Sequence, residues 1–95
     1  MQITVESVAD LGLALRAARK GAGVRLDDLA GIAGVSKQFV SDVEYGKQTV
    51  QLGLVLKLLA EMGLHLTVDL PHAAEPALLA LKARGGAGKR ETSQG

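Results

Sequence analysis

The chain has 95 residues, which suffices for one small domain and excludes a two-domain enzyme. Hydrophobic residues make up 47% of it, only Phe39 and Tyr45 are aromatic, and cysteine is absent, so we expect an aliphatic helical core in a reducing, cytoplasmic compartment. The net charge is +1, and residues 1 to 70 alone have a net charge of −1, which excludes nucleic-acid binding through bulk positive charge.

The first predicted helix covers residues 8 to 20. Ser7 is a suitable N-cap because its hydroxyl can accept a hydrogen bond from an N–H group of the first turn, and Asp10 favours the positive end of the helix dipole. Apolar residues recur at spacings of three and four, as they do on one face of a helix. Gly21 and Gly23 are expected to end it.

Two shorter helices follow, joined by a tight turn. The first covers residues 25 to 31, and the turn covers residues 33 to 35. Ser36 is a second N-cap candidate, for a helix that runs to about Tyr45 and is ended by Gly46. Two short helices joined by a glycine-containing turn form the helix-turn-helix pattern, so the sequence predicts this motif.

A fourth helix is predicted from residues 49–51 to Met62, with Gly63 as the residue that ends it. Its expected inner face consists of Leu52, Val55, Leu56 and Leu59, widened by Leu54 and Leu58. This apolar stripe is broader than the surface of a monomer needs. The helix therefore favours a dimer.

The hydrophobic period then changes from 3.6 to 2, which predicts a β-strand over residues 64 to 70. The apolar residues of its inner side are Leu64, Leu66, Val68 and Leu70. A single strand cannot pair its own backbone groups, so it needs a partner strand. Residues 2 to 5 are the only other strand-like stretch, and the most economical partner is the same strand of a second copy. We expect these four residues to mediate homodimerisation.

The predicted elements divide the chain into two regions. Residues 1 to 70 are expected to form the helix-turn-helix and dimerisation domain, and residues 71 to 95 a flexible tail that binds a partner. The tail contains one or two predicted helical turns within residues 75 to 84, and the last ten residues, rich in glycine and polar side chains, are expected to be disordered.

Roughly residues 10 to 63 resemble the XRE (Cro/CI) helix-turn-helix family. The resemblance is carried by Leu29-Ala30, Gly34-Val35-Ser36, Val40-Ser41 and Val43-Glu44-Tyr45-Gly46-Lys47. It implies a mainly α fold of four to five short helices, similar to the lambda repressor, and a homodimeric transcriptional repressor that binds a palindromic DNA operator.

The segment from Val40 to Leu70 resembles the HipB-type antitoxin branch of that family more closely. In this branch the helical domain is followed by a terminal strand that pairs across the dimer. The resemblance implies an antitoxin that represses its own operon and binds a HipA-type kinase toxin.

The third helix presents a polar face on which DNA bases can be read. Lys37, Gln38, Ser41 and Asp42 share this face because positions i, i+1, i+4 and i+5 cluster on a helix. Lysine can donate to guanine, glutamine can pair with adenine, and aspartate can accept from cytosine. The positions of Lys37, Gln38 and Asp42 coincide with the usual base-reading positions of the family. The alternatives are that Lys37 and Gln38 are solvated surface residues and that Asp42 only excludes wrong sequences or orients Lys37.

Phosphates are bound by backbone N–H groups at helix N-termini and by nearby polar or basic side chains. The residues placed for this role are Arg25, Ser36, Ser41, Tyr45, Lys47, Gln48 and Thr49. Helix capping is the alternative explanation for Ser36 and Thr49. The chain departs from the family at Arg25-Leu26, where Thr-Gln is common, and Arg25 replaces the missing contact in our interpretation.

Arg19 and Glu44 match positions that form a partly buried ion pair in the family, which implies a structural role for both.

The sequence contains no set of residues arranged for catalysis. Asp27 and Asp28 are adjacent, so their side chains diverge on a helix, and no histidine lies near Ser36 in the sequence. We therefore expect neither an enzyme nor a metal or other cofactor. The competing hypothesis is a protein-interaction module that neutralises a toxin with little or no DNA binding.

Overall fold

The computed structural model describes residues 1 to 85. The predicted mainly α fold is confirmed. The helices are α1 (Val8–Gly21), α2 (Leu26–Ala33), α3 (Lys37–Glu44), α4 (Leu52–Glu61) and α5 (Glu75–Ala83), with a 3-10 turn at His72–Ala74. The predicted disorder of the last ten residues concerns residues outside the described part of the chain.

Local hydrogen bonds explain where the helices begin and end. The Ser7 hydroxyl accepts from the backbone N–H of Asp10 at 3.1 Å, and the Ser36 hydroxyl accepts from that of Phe39 at 3.0 Å. Both predicted N-caps are thus confirmed. Gly34, which follows α2, has a φ of 72°, a left-handed conformation that side chains with a Cβ disfavour. The turn between α2 and α3 therefore requires glycine.

The core lies where α3 contacts both α1 and α2, and α2 contacts α4. Its buried residues are Leu15, Leu29, Ala30, Ala33, Val40, Val43, Val55, Leu58 and Leu59. Phe39 packs against this cluster from its edge. The core is therefore aliphatic, as the composition predicts.

Helices α1 and α3 approach each other closely at Gly12. A Cβ atom added at this buried glycine would lie 2.4 Å from the carbonyl oxygen of Val43 and 2.6 Å from that of Glu44. Such distances are far inside van der Waals contact. The absence of a side chain at Gly12 thus allows the backbones of α1 and α3 to meet.

The predicted inner face of α4 is wrong at two positions. Leu52 is 62% exposed and Leu56 44% exposed, whereas Val55, Leu58 and Leu59 are buried against α2 and the rest of the core. Almost every position of this helix is apolar, so hydrophobic periodicity does not single out one face. The contact with α2 selects the face instead, and it leaves an apolar surface exposed.

Residues 64 to 70 belong to no helix or strand within the single chain. Leu64 packs against the core, whereas Leu66, Val68 and Leu70 are exposed, Val68 to 81%. Pairing of this segment needs a second chain, and strand formation across a dimer stays a prediction. Residues 2 to 5 also lie outside any regular element.

Helix α5 confirms the helical turns predicted in the tail. Its main contacts are with the adjacent 3-10 turn, and Leu78, Leu79 and Leu81 are exposed. The helix therefore presents an apolar surface that the described chain does not cover. Within residues 1 to 85, no helix combines the length and apolar character needed to cross a membrane.

Candidate nucleic-acid interface

Helix α3 separates a polar outer face from a buried inner face. Val40 and Val43 are buried in the core, which turns the predicted base-reading positions outward. Lys37 and Gln38 are exposed, and Ser41 and Asp42 are partly exposed. The helix therefore offers a ridge of donors and acceptors with dimensions suited to a DNA major groove.

The first turn of α3 supplies backbone N–H groups beside this ridge. Ser36 precedes the turn, and its hydroxyl is engaged by the N–H of Phe39. The capping interpretation of Ser36 is thus confirmed. The Ser36 hydroxyl can still donate its own hydrogen to a phosphate oxygen, because it acts only as an acceptor in the cap.

Asp42 links the base-reading residues to the following loop. The Gln38 amide Nε2 donates to Asp42 Oδ1 at 2.8 Å, and the Lys47 ammonium lies 3.6 Å from Asp42 Oδ2. The backbone N–H of Lys47 also donates to the carbonyl oxygen of Asp42 at 2.9 Å. Asp42 thus orients Gln38 and Lys47, whereas the sequence suggested Lys37.

Tyr45 lies at the C-terminal end of α3 with its side chain outward and is 69% exposed. The Arg16 guanidinium carbon of α1 lies 4.6 Å from the centre of the Tyr45 ring, a cation–π distance. Sequence reasoning did not include Arg16 in the site, because its place near the end of α1 is explained by the helix dipole. The ring and the guanidinium thus lie together at the C-terminal end of α3, where Arg16 adds a positive charge.

The first turn of α2 borders the same surface. Arg25 Nε and Nη2 each donate to a carboxylate oxygen of Asp27 at 3.3 Å. Desolvation raises the pKa of Asp27, but the positive charge of Arg25, helped by that of Lys37, lowers it overall. The effect of Lys37 on Asp27 shows that the start of α3 lies close enough to the start of α2 for their charges to interact. Arg25 is exposed there beside an acidic partner.

The loop between α3 and α4 exposes the remaining candidates, Lys47, Gln48 and Thr49. Helix α4 begins at Leu52, and its N-cap is Gln51, without a side-chain capping bond. Capping by Thr49, the alternative open at the sequence level, is therefore wrong, since the helix begins three residues later. Thr49 is left exposed for other contacts.

A buried ion pair fixes α3 from behind. Arg19 Nε donates to Glu44 Oε2 at 2.6 Å and Arg19 Nη2 to Glu44 Oε1 at 2.9 Å, while Nη1 donates to the carbonyl oxygen of Val24 at 3.1 Å. The hydrogen bond with Glu44 raises the pKa of Arg19, against the opposing effect of burial. The expected structural role of this pair is confirmed.

Comparisons with known proteins agree with this architecture. Residues 10–69 match the model of a family described as a helix-turn-helix domain. The chain is 40% identical over 67 residues to an uncharacterized HTH-type transcriptional regulator, y4mF, of Sinorhizobium fredii (strain NBRC 101917 / NGR234), a match that covers 70% of this chain and 88% of that protein.

Solved structures share the fold. The HipB–O4 20mer complex and the HipA–HipB–O2–O3 complex each contain a chain that matches with a TM-score of 0.67 and 22% sequence identity. Each match covers 73% of this chain and 97% of the other. At this level of identity, the comparison shows a common fold.

Proposed function

Because the chain belongs to the XRE-type helix-turn-helix family of transcriptional regulators, whose members are not enzymes, we propose that it is a sequence-specific DNA-binding repressor. It binds a palindromic operator as a homodimer and represses its own operon. The observation that carries this proposal is the outward polar face of α3, opposite a buried apolar face.

Each residue of the interface has a role that its chemistry supports. Lys37 donates to guanine, Gln38 pairs with adenine, and Ser41 contacts the base edges or a nearby phosphate. The phosphate contacts come from Arg25, Ser36, Tyr45, Lys47, Gln48 and Thr49. Their position around the exposed start and end of α3 supports this assignment.

Lys47→Ala is expected to weaken operator binding through the loss of one phosphate contact. The slope of log K against log salt concentration should become shallower by about 1, because one fewer counterion is released. Mobility shifts with the DNA upstream of the chain's own gene, at a series of salt concentrations, measure this slope. Lys82→Ala is the control, because Lys82 lies on α5, whose main contacts are with the adjacent 3-10 turn and not with α3, and should leave the slope unchanged.

The absence of a shift by the native protein at low salt contradicts the proposal. It favours the interaction module that neutralises a toxin without binding DNA. A slope equally reduced by both lysine substitutions assigns binding to general positive charge instead of the α3 surface.

The homodimer part of the proposal rests on exposed apolar surface in residues 64 to 70 and on α4. Leu66, Val68 and Leu70 gain partners when two copies of the segment pair as antiparallel strands, and Leu64 anchors the segment to the core. Two recognition helices related by a twofold axis then meet half-sites separated by ~34–36 Å, one turn of DNA, or a multiple of it.

Val68→Pro is expected to dissociate the dimer, because proline removes an N–H group and does not fit a paired strand. Analytical ultracentrifugation at micromolar concentration should show a monomer for this variant and a dimer for the native chain. Val68→Thr, which keeps the branched side chain and the N–H group, is the control and should remain a dimer. A native chain that sediments as a monomer contradicts the proposal.

We further propose that the partner is a HipA-type kinase toxin. The fold shared with HipB, seen in complex with HipA and DNA, supports this assignment. Helix α5 is a suitable contact because its leucines are exposed and Lys82 lies on the same short helix.

Truncation after Pro71 tests the contribution of α5 and the tail. We expect kinase binding, measured by calorimetry, to be lost while operator affinity is retained. A uniform loss of DNA affinity with a shallower salt slope instead assigns the tail an electrostatic role on phosphates. Unchanged binding of both partners contradicts any role of the tail.

A further inference from the structure

We infer that Asp42 is a positioning residue that restricts Gln38 to adenine and ties this base contact to the phosphate contact of Lys47. The inference rests on the proposed function and replaces the direct contact with cytosine that the residue type alone suggests. It rests on two contacts of the Asp42 carboxylate, one with Gln38, which precedes it on α3, and one with Lys47, which follows in the next loop.

The hydrogen bond between Gln38 and Asp42 fixes the orientation of the amide. An ionised carboxylate only accepts hydrogen bonds, so the nitrogen of the amide must face Asp42, at 2.8 Å. One hydrogen of that nitrogen is then used. The amide presents its oxygen and its second hydrogen to a base.

This remaining pair matches adenine and not guanine. Adenine offers an acceptor, N7, beside a donor, the N6 amino group, whereas guanine offers two acceptors, N7 and O6. An unrestrained amide can turn both hydrogens toward guanine. An amide with one hydrogen held by Asp42 can satisfy only one guanine acceptor, so Asp42 increases the preference for adenine.

Lys47 is held by the same residue through two contacts. Its backbone N–H donates to the Asp42 carbonyl oxygen at 2.9 Å, and its ammonium lies 3.6 Å from Asp42 Oδ2. A phosphate contact by Lys47 therefore has a fixed position relative to the base read by Gln38. Both carboxylate oxygens already have partners, and the Asp42 side chain is only 24% exposed, which disfavours a separate contact with cytosine.

The negative charge of Asp42 also acts on DNA of any sequence. A carboxylate at the DNA-facing surface repels phosphates, and its removal should strengthen nonspecific binding. Loss of Asp42 should therefore weaken specific binding and strengthen nonspecific binding, and both changes lower the ratio of specific to nonspecific affinity.

The test compares Gln38→Ala, Asp42→Ala and the double variant in competition mobility shifts. The probes are the native operator and operators with each base pair of a half-site replaced. We expect Gln38→Ala and Asp42→Ala to relax discrimination at the same A·T pair, each by about tenfold. The double variant should lose no more than Gln38→Ala alone, because Asp42 acts through Gln38.

Asp42→Asn is the conservative control. Its side-chain oxygen can still accept from Gln38, so discrimination at the A·T pair should be restored, while the ion pair with Lys47 is lost. A merely structural role of Asp42 predicts instead that all operators are weakened equally.

Losses that add in the double variant, or a relaxed G·C pair in the Asp42→Ala variant, overturn the inference and assign Asp42 its own base contact. In both cases operator binding by the native protein persists, so the proposed function stands. Absence of operator binding by the native protein overturns the proposed function and the inference with it.

Discussion

Replacement of Gly12 by alanine is expected to destabilise the domain by about 3 kcal/mol, although alanine is the better helix former. The propensity gain at a helix interior is about 1 kcal/mol. Against it, the new methyl group would lie 2.4 Å from a backbone oxygen of α3, and a backbone cannot move aside as a flexible side chain can. The steric term therefore dominates, and α1 and α3 are forced apart.

Gly53→Ala provides the matched control. Gly53 lies within α4, is exposed, and has no atom within 4 Å of its added Cβ. Alanine there should stabilise the protein by about 0.5–1 kcal/mol. In thermal denaturation at equal protein concentrations, the Gly12→Ala variant should have a Tm lower than that of the native chain by more than about 10 °C. The Tm of the Gly53→Ala variant should be higher than that of the native chain. Equal Tm values for the Gly12 variant and the native chain contradict the close contact of α1 and α3.

Glu44→Gln is expected to cost about 3 kcal/mol, because it leaves the Arg19 charge buried without its counter-ion. The substitution keeps the size of the side chain, so the loss reports on charge and hydrogen bonding. An apolar double variant, Arg19→Met with Glu44→Leu, should be more stable than Glu44→Gln, since it removes both buried charges together. Urea denaturation of the three proteins measures this order.

Arg25→Ala serves as the exposed counterpart, since the Arg25–Asp27 pair lies in solvent and should contribute little to stability. A Glu44→Gln variant as stable as Arg25→Ala contradicts a structural role of the buried pair.

The ion pair should also make stability insensitive to pH near neutrality. The pKa of Arg19 is raised in the folded protein, so the stabilising effect of its charge is complete below the pKa that Arg19 has in the unfolded chain. That effect is lost only as pH rises through the pKa of Arg19 in the folded protein. Titration of Arg19 should therefore leave stability unchanged between about pH 5 and 9.

Local chemistry made part of this structure predictable. The hydroxyls of Ser7 and Ser36 cap helices by accepting hydrogen bonds from backbone N–H groups three residues later. Such short-range bonds depend only on neighbouring residues, so the sequence predicts them. The inner face of α4 was not predictable because apolar residues surround most of that helix, and only the packing of α2 distinguishes Leu58 from Leu56.

The outward positions of α3 could likewise be predicted, whereas the connections among their side chains could not. A helical period places Gln38 and Asp42 one turn apart, which permits their hydrogen bond. Periodicity does not indicate that Lys47, from the next loop, approaches the same carboxylate. The contact of Arg16 with Tyr45 depends on how α1 crosses α3. The position of Gly12 against α3 has the same origin.

The anchoring of α3 by Arg19 and Glu44 has a consequence for engineering. The pair secures the helix through buried atoms, so the scaffold does not depend on which side chains point outward from α3. A library randomised at Lys37, Gln38, Ser41 and Asp42 should therefore yield mostly folded proteins. Selection from such a library could retarget the domain to new DNA sequences, with one rigid framework carrying many different reading surfaces.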